Sequence, residues 1–191
     1  KLYLSKEEKK KISELKNRFF YVFHFPKNKD FLEECNDRVL LKTKCRHYYT
    51  RLDLKKYSQA IYKMREENQK VASRVLGIDA CANELYARPE VYGQAFRFLK
   101  GHLPRNDYQR NYKKGESLGA LRATFHVGED FLDCIDGLRA INEAILFLGL
   151  THGDRLGHAI ALGIDVDDWY KKKNNKVYLS MQAKIGRASC R

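Results

Sequence analysis

Residues 121–161 read LRATFHVGED FLDCIDGLRA INEAILFLGL THGDRLGHAI A. Leu121 to Val127 is a short, mostly apolar and β-branched run, which predicts a strand. Ile135, Leu138, Ile141, Ile145 and Leu148 then recur at helical spacing and predict an amphipathic helix over 133–148. Arg155 to Ala161 returns to a strand pattern. Strand, helix and strand in so short a span make one β-α-β step, whose two strands run parallel with a right-handed crossover.

The same alternation extends in both directions. Ser5 and Glu8 have the spacing of a capping box, and Ile12 and Leu15 follow, so a helix is expected over 6–17. Phe19 to Phe25 is aromatic and apolar throughout, the pattern of a strand covered on both faces, and Pro26 ends it. Residues 28–50 are polar and irregular, with room for a short helix. Leu54, Tyr57, Ile61, Met64 and Val71 predict a helix over 53–72. Val75 to Ala80 is a second strand, and Val91, Ala95, Phe98 and Leu99 mark a helix after Pro89. Residues 101–119 read as an exposed loop. Asp165 to Tyr170 is a helical turn, and Val177 to Met181 a fifth strand. The fold class is α/β with a parallel sheet, either doubly wound or part of a barrel. No G-x-G-x-x-G follows any strand, which removes support from a dinucleotide-binding version. At 191 residues the chain is shorter than a whole (β/α)8 barrel of about 250.

Composition narrows the classes further. A hydrophobic fraction of 43% permits a core and excludes general disorder. No apolar run approaches the roughly 18 residues of a membrane span. Cys35, Cys45, Cys81, Cys134 and Cys190 are odd in number and form no C-x-x-C pair, so free thiols in a cytoplasmic compartment are expected. The net charge of +13 is read as a solvated lysine-rich surface rather than a nucleic-acid interface. Its lysine runs at 9–11 and 171–173 lack the aromatic platform of single-strand binders. The chain opens on Lys1, and Ile185 to Arg191 reads like a translated adapter stretch. The natural sequence is therefore expected to stop near Lys184, with 185–191 a non-native tail.

Three polar clusters fall at the C-terminal ends of predicted strands: Asp79 to Glu84, His126 to Glu129, and Arg155 to His158. In parallel α/β folds that edge is where ligands bind. An imidazole at a strand end, His126, is a suitable zinc ligand. Gly128 leaves room for substrate beside the backbone. Glu129 sits where a carboxyl group can serve as general acid and base. His158 on the next strand can meet His126, and Arg155 can hold a carboxylate. The plainer readings are a backbone-bonded strand-end histidine, a helix-capping glutamate and a core histidine. His24 ends the first strand and is read as structural or as support for a ligand. His47, His102 and His152 are read as solvated loop residues. Asp79 either bonds a metal-bound histidine or caps a turn.

On these residues the chain resembles the adenosine and AMP deaminase family. That family's H-A-G-E motif appears as His126-Val127-Gly128-Glu129, its R-I-G-H-G as Arg155-Leu156-Gly157-His158-Ala159, and its G-x-D-L-x-G-x-E in part as Gly77 to Glu84. The resemblance implies a zinc-dependent hydrolase on a (β/α)8 barrel, with residues 1–184 a partial barrel domain carrying strands three to seven. It implies His126 as a zinc ligand, Glu129 as proton donor to the purine ring, and His158 as the base that orients the attacking water. It also implies Ala82 and Gly128 beside the substrate, an adenine nucleoside or nucleotide. The family has glycine where Ala82 and Ala159 stand here. Its H-x-H pair and final aspartate ligand have no counterpart in this sequence and are expected outside it. More narrowly, the chain resembles the adenosine-deaminase-like proteins of RADAR-type bacterial antiviral defence, which implies a nucleotide substrate and a homo-oligomer. The alternative is a non-catalytic purine-binding or assembly module with a degenerate site.

Overall fold

A computed structural model describes residues 5–16, 19–34, 38–104, 118–177 and 179. Helix α1 (Lys6–Lys16) begins at the expected capping box: Glu8 N–H donates to Ser5 Oγ, and Ser5 N–H to Glu8 Oε2 at 2.8 Å. Then follow β1 (Tyr21–Pro26), the short helices α2 (Phe31–Glu34) and α3 (Arg38–Thr43), α4 (Tyr48–Glu67), α5 (Gln69–Ala72) and β2 (Val75–Cys81). After β2 come α6 (Pro89–Lys100), β3 (Arg122–Val127), α7 (Cys134–Leu148), β4 (Arg155–His158), a 3-10 turn (Ile160–Gly163) and α8 (Val166–Lys172).

The strands form one sheet in the order β1-β2-β3-β4, every pair parallel. Each new strand adds beside its predecessor, with no reversal of order. The helices of the three crossovers also follow in sequence, α4 packing against α6 and α6 against α7. They cover one face of the sheet. Phe25, Ile78, Ala80, Ala123, Phe125 and Val127 point to that side and are fully buried with Tyr92, Phe96 and Leu148. Strand period puts the alternate residues, among them His24, Asp79, Cys81, Thr124 and His126, on the opposite and less covered face.

Several expectations need correction. The run 19–25 is not covered on both faces: Phe19 and Phe20 precede β1 and are exposed, as are Tyr21 and Val22 at its start, while Phe25 alone of the run is buried. The helix expected over 53–72 starts five residues earlier, at Tyr48, and breaks at Asn68, whose φ of −132° and ψ of 78° are not helical. The fourth strand stops at His158 rather than Ala161, since His158 and Ala159 adopt φ of 55° and 48° and turn the chain out of the sheet. His47 is not solvated but buried, with φ of 55° at the start of α4. His102 is also largely buried, its Nε2 2.8 Å from Glu66 Oε1. The fifth expected strand and the middle of the 101–119 loop fall largely outside the described residues, and the 185–191 tail wholly so.

Candidate active site

The C-terminal ends of the strands bring most of the expected residues together. Parallel register pairs His24 with Asp79, Asp79 with Thr124, His126 with Gly157 and Val127 with His158. Asp79 Oδ1 accepts from His126 Nδ1 at 3.0 Å. That bond directs the other ring nitrogen, Nε2, away from the carboxylate as a free donor atom. The rings of His126 and His158 lie 5.3 Å apart between centroids, and His158 Nε2 is 3.0 Å from Glu129 Oε2. His126, Glu129 and His158 thus come together at one edge of the sheet.

Two glycines make this packing possible. A Cβ on Gly157 would stand 2.5 Å from His126 Cδ2, so only glycine leaves space for the imidazole there. Gly128 has φ of 78°, and a Cβ on it would stand 2.5 Å from Ile141 Cδ1. Ala82, at φ of 79°, and Ala159, at 48°, occupy the left-handed region that glycine tolerates better.

The loop that carries Glu129 is held from outside. Glu84 Oε2 accepts from Gly128 N–H at 2.8 Å, and Oε1 accepts from the N–H groups of Glu129 and Asp130 at 2.6 and 2.5 Å. Burial pushes the Glu84 carboxyl above its usual range, against the opposing pull of these donors and of Lys27. Lys27 is buried at 1% exposure. Its Nζ donates to the His126 carbonyl and lies 4.4 Å from the centre of the Phe125 ring. Burial pushes its ammonium down, while Glu84, Glu129 and Asp79 favour the charge. Neither the role of Glu84 nor Lys27 was identified from sequence. Lys27 does carry a signal: it follows Pro26 at the same strand edge as the three polar clusters.

His24 lies on this edge too. Its Nδ1 is 3.4 Å from Asp79 Oδ2, and its ring nitrogens are 3.2 and 3.5 Å from Cys81 Sγ. Arg155 is not brought into the cluster: it opens β4, exposed, about 10 Å of strand from His158. His152 is exposed, its carbonyl accepting from Arg122. A separate cavity of about 400 Å³ lies behind the Glu84 loop, lined by Glu84, Arg88, Phe131, Asp136, Arg139 and Glu143 among others. None of His126, Glu129 and His158 lines it.

Of these residues, His126 alone offers a metal an imidazole oriented by a carboxylate. A carboxylate-oriented imidazole is the usual form of a metal-bound histidine. A histidine–carboxylate pair beside it can take and return protons. No described helix is long and apolar enough to cross a membrane. Set against protein-family models and against curated proteins, the chain matches none.

Proposed function

We propose that this chain is part of a zinc-dependent hydrolytic deaminase of the adenosine deaminase type, acting on an adenine nucleoside or nucleotide. The observation that carries the reading is the convergence of His126, Glu129 and His158 at one edge of parallel strands, with Asp79 bonded to His126 Nδ1. The unreversed strand order and the sequential row of crossover helices support a partial (β/α)8 barrel, in which the face bearing His24, Asp79 and His126 is the interior.

In this reading His126 Nε2 is one zinc ligand, and the remaining ligands belong to protein other than the described residues. Bound zinc lowers the pKa of water toward about 7 and supplies the nucleophile at neutral pH. His158 takes the proton of the attacking water and directs it at C6 of the purine. Glu129, 3.0 Å from His158, delivers a proton to the adjacent ring nitrogen and takes one from the new C6 hydroxyl, while the proton held by His158 passes to the amino group, which leaves as ammonia. Glu84 fixes the Gly128–Asp130 backbone and with it the Glu129 carboxyl. Lys27, bonded to the His126 carbonyl, offsets the acidic charge of Asp79, Glu84 and Glu129.

The test is ammonia release by the protein containing this chain, from adenosine, AMP and ATP in parallel, with and without a zinc chelator. Release from at least one compound, abolished by the chelator and restored by zinc, is expected. Adenine binding with no ammonia from any of the three would favour the non-catalytic purine-binding module instead.

A further inference from the structure

We propose that His24, Asp79 and Cys81 form a second metal site, distinct from the one assigned to His126, for a borderline divalent ion such as zinc or cobalt. One nitrogen, one oxygen and one sulfur donor converge there, all within 4.8 Å of one another. The Nδ1–Oδ2 spacing is longer than a direct hydrogen bond, whereas sulfur lies 3.2 Å from His24 Nε2 and 3.5 Å from Nδ1, so the exposed imidazole turns against the thiol to present one nitrogen to a shared ion. Tetrahedral zinc, with bonds of about 2.05 Å to nitrogen, 2.1 Å to oxygen and 2.3 Å to sulfur, separates its nitrogen and oxygen ligands by about 3.4 Å and its nitrogen and sulfur ligands by about 3.5 Å. His24 Nδ1 is 3.4 Å from Asp79 Oδ2. An N–H···O hydrogen bond would close to about 2.7–3.2 Å, as the 3.0 Å bond from His126 to the other Asp79 oxygen does.

The fold explains why the three meet. His24 and Asp79 are register partners on neighbouring parallel strands, and Cys81 lies two residues beyond Asp79, so all three side chains leave the same face. His24 is exposed and Cys81 partly so, which gives an ion a route in and leaves a fourth position open to water or ligand. The thiolate selects zinc, cobalt or cadmium over magnesium and calcium. Asp79 would serve both metals with different oxygens, ligating here through Oδ2 and orienting His126 through Oδ1.

Cobalt(II) titration of the reduced full chain tests this, because a cobalt–thiolate bond has a near-ultraviolet charge-transfer band that the His126 site, lacking sulfur, cannot produce. One cobalt per chain with that band is expected, bleached by equimolar zinc and unaffected by excess magnesium. His24→Ala and Cys81→Ser should each abolish the band, and His126→Ala should keep it, which separates this site from the deaminase reading. Circular dichroism checks that each variant is folded. A second measurement needs no variant: zinc should protect Cys81 of the unsubstituted chain from iodoacetamide, as mapped by mass spectrometry. No band, a band that survives Cys81→Ser or disappears with His126→Ala, or equal labelling of Cys81 with and without zinc would overturn the proposal.

Discussion

Gly128→Ala should be among the most damaging single-methyl additions in this chain, and its cost can be worked from two separate contacts. The first is backbone. At φ of 78° an alanine sits in the left-handed region, which costs about 1–2 kcal/mol. The second is packing. The new Cβ would stand 2.5 Å from Ile141 Cδ1 and 2.8 Å from Cγ1, and Ile141 is itself buried in the core. Overpacking of that kind costs about 1–3 kcal/mol. The total is about 2–5 kcal/mol, and a loss near 3 kcal/mol lowers Tm by about 6–12 °C in a chain of this size. The two parts separate in a double-mutant cycle. Ile141→Val removes the atom at 2.5 Å and alone costs about 0.5–1.5 kcal/mol. In the Ile141→Val background the Gly128→Ala penalty should shrink by about 1 kcal/mol, leaving the backbone part and the contact with the γ carbon at 2.8 Å. Urea unfolding of all four proteins, followed by circular dichroism, measures this. Additivity within about 0.5 kcal/mol would show that Gly128 and Ile141 do not press on each other and would refute the packing argument.

Three further outcomes follow from the same geometry. Gly157→Ala should cost little stability, because the His126 ring can swing aside, but it should break the His126–Asp79 bond and lower ammonia release by about 10–100-fold, the usual effect of losing such a supporting contact. Ala82→Gly should stabilise the chain by about 0.5–1 kcal/mol, the relief of a left-handed alanine less the extra freedom of glycine when unfolded, read as a raised urea midpoint. Burial pushes the Asp154 carboxyl up, but Lys100 and the N–H groups of Thr151 and Ala123 outweigh it and hold it below the usual range. Its stabilisation is therefore complete above about pH 4 and is lost as the pH falls through the folded value. Asp154→Asn should accordingly lower the urea midpoint at pH 7 and narrow the gap to wild type at pH 3.

Much of the architecture was legible because strands and helices alternate with clear periods. The capping box at Ser5 and the helix stripe ending at Leu148 are local signals, and the structure agrees with both. The errors arise where burial is decided at long range. Phe19 to Val22 read as a buried strand, yet burial depends on which distant elements pack over the faces of β1, and these four residues are exposed. His47 and His102 read as solvated because their neighbours in sequence are polar, whereas one is buried at the start of α4 and the other against Glu66. The strand-end positions of His126, Glu129 and His158 were visible from spacing. Lys27 was not, since its burial comes from Phe125 and the His126 carbonyl, 99 residues away along the chain in the latter case. The three donors around Cys81 meet only once strand register is known.

The claim that matters most is that Glu129 passes a proton to a bound adenine ring. Steady-state ammonia release and purine binding should be measured on the Glu129→Gln form of the protein containing this chain, beside wild type. Turnover should fall by about 10²–10⁴-fold, with purine affinity and fold retained. Turnover equal to that of wild type would contradict that claim.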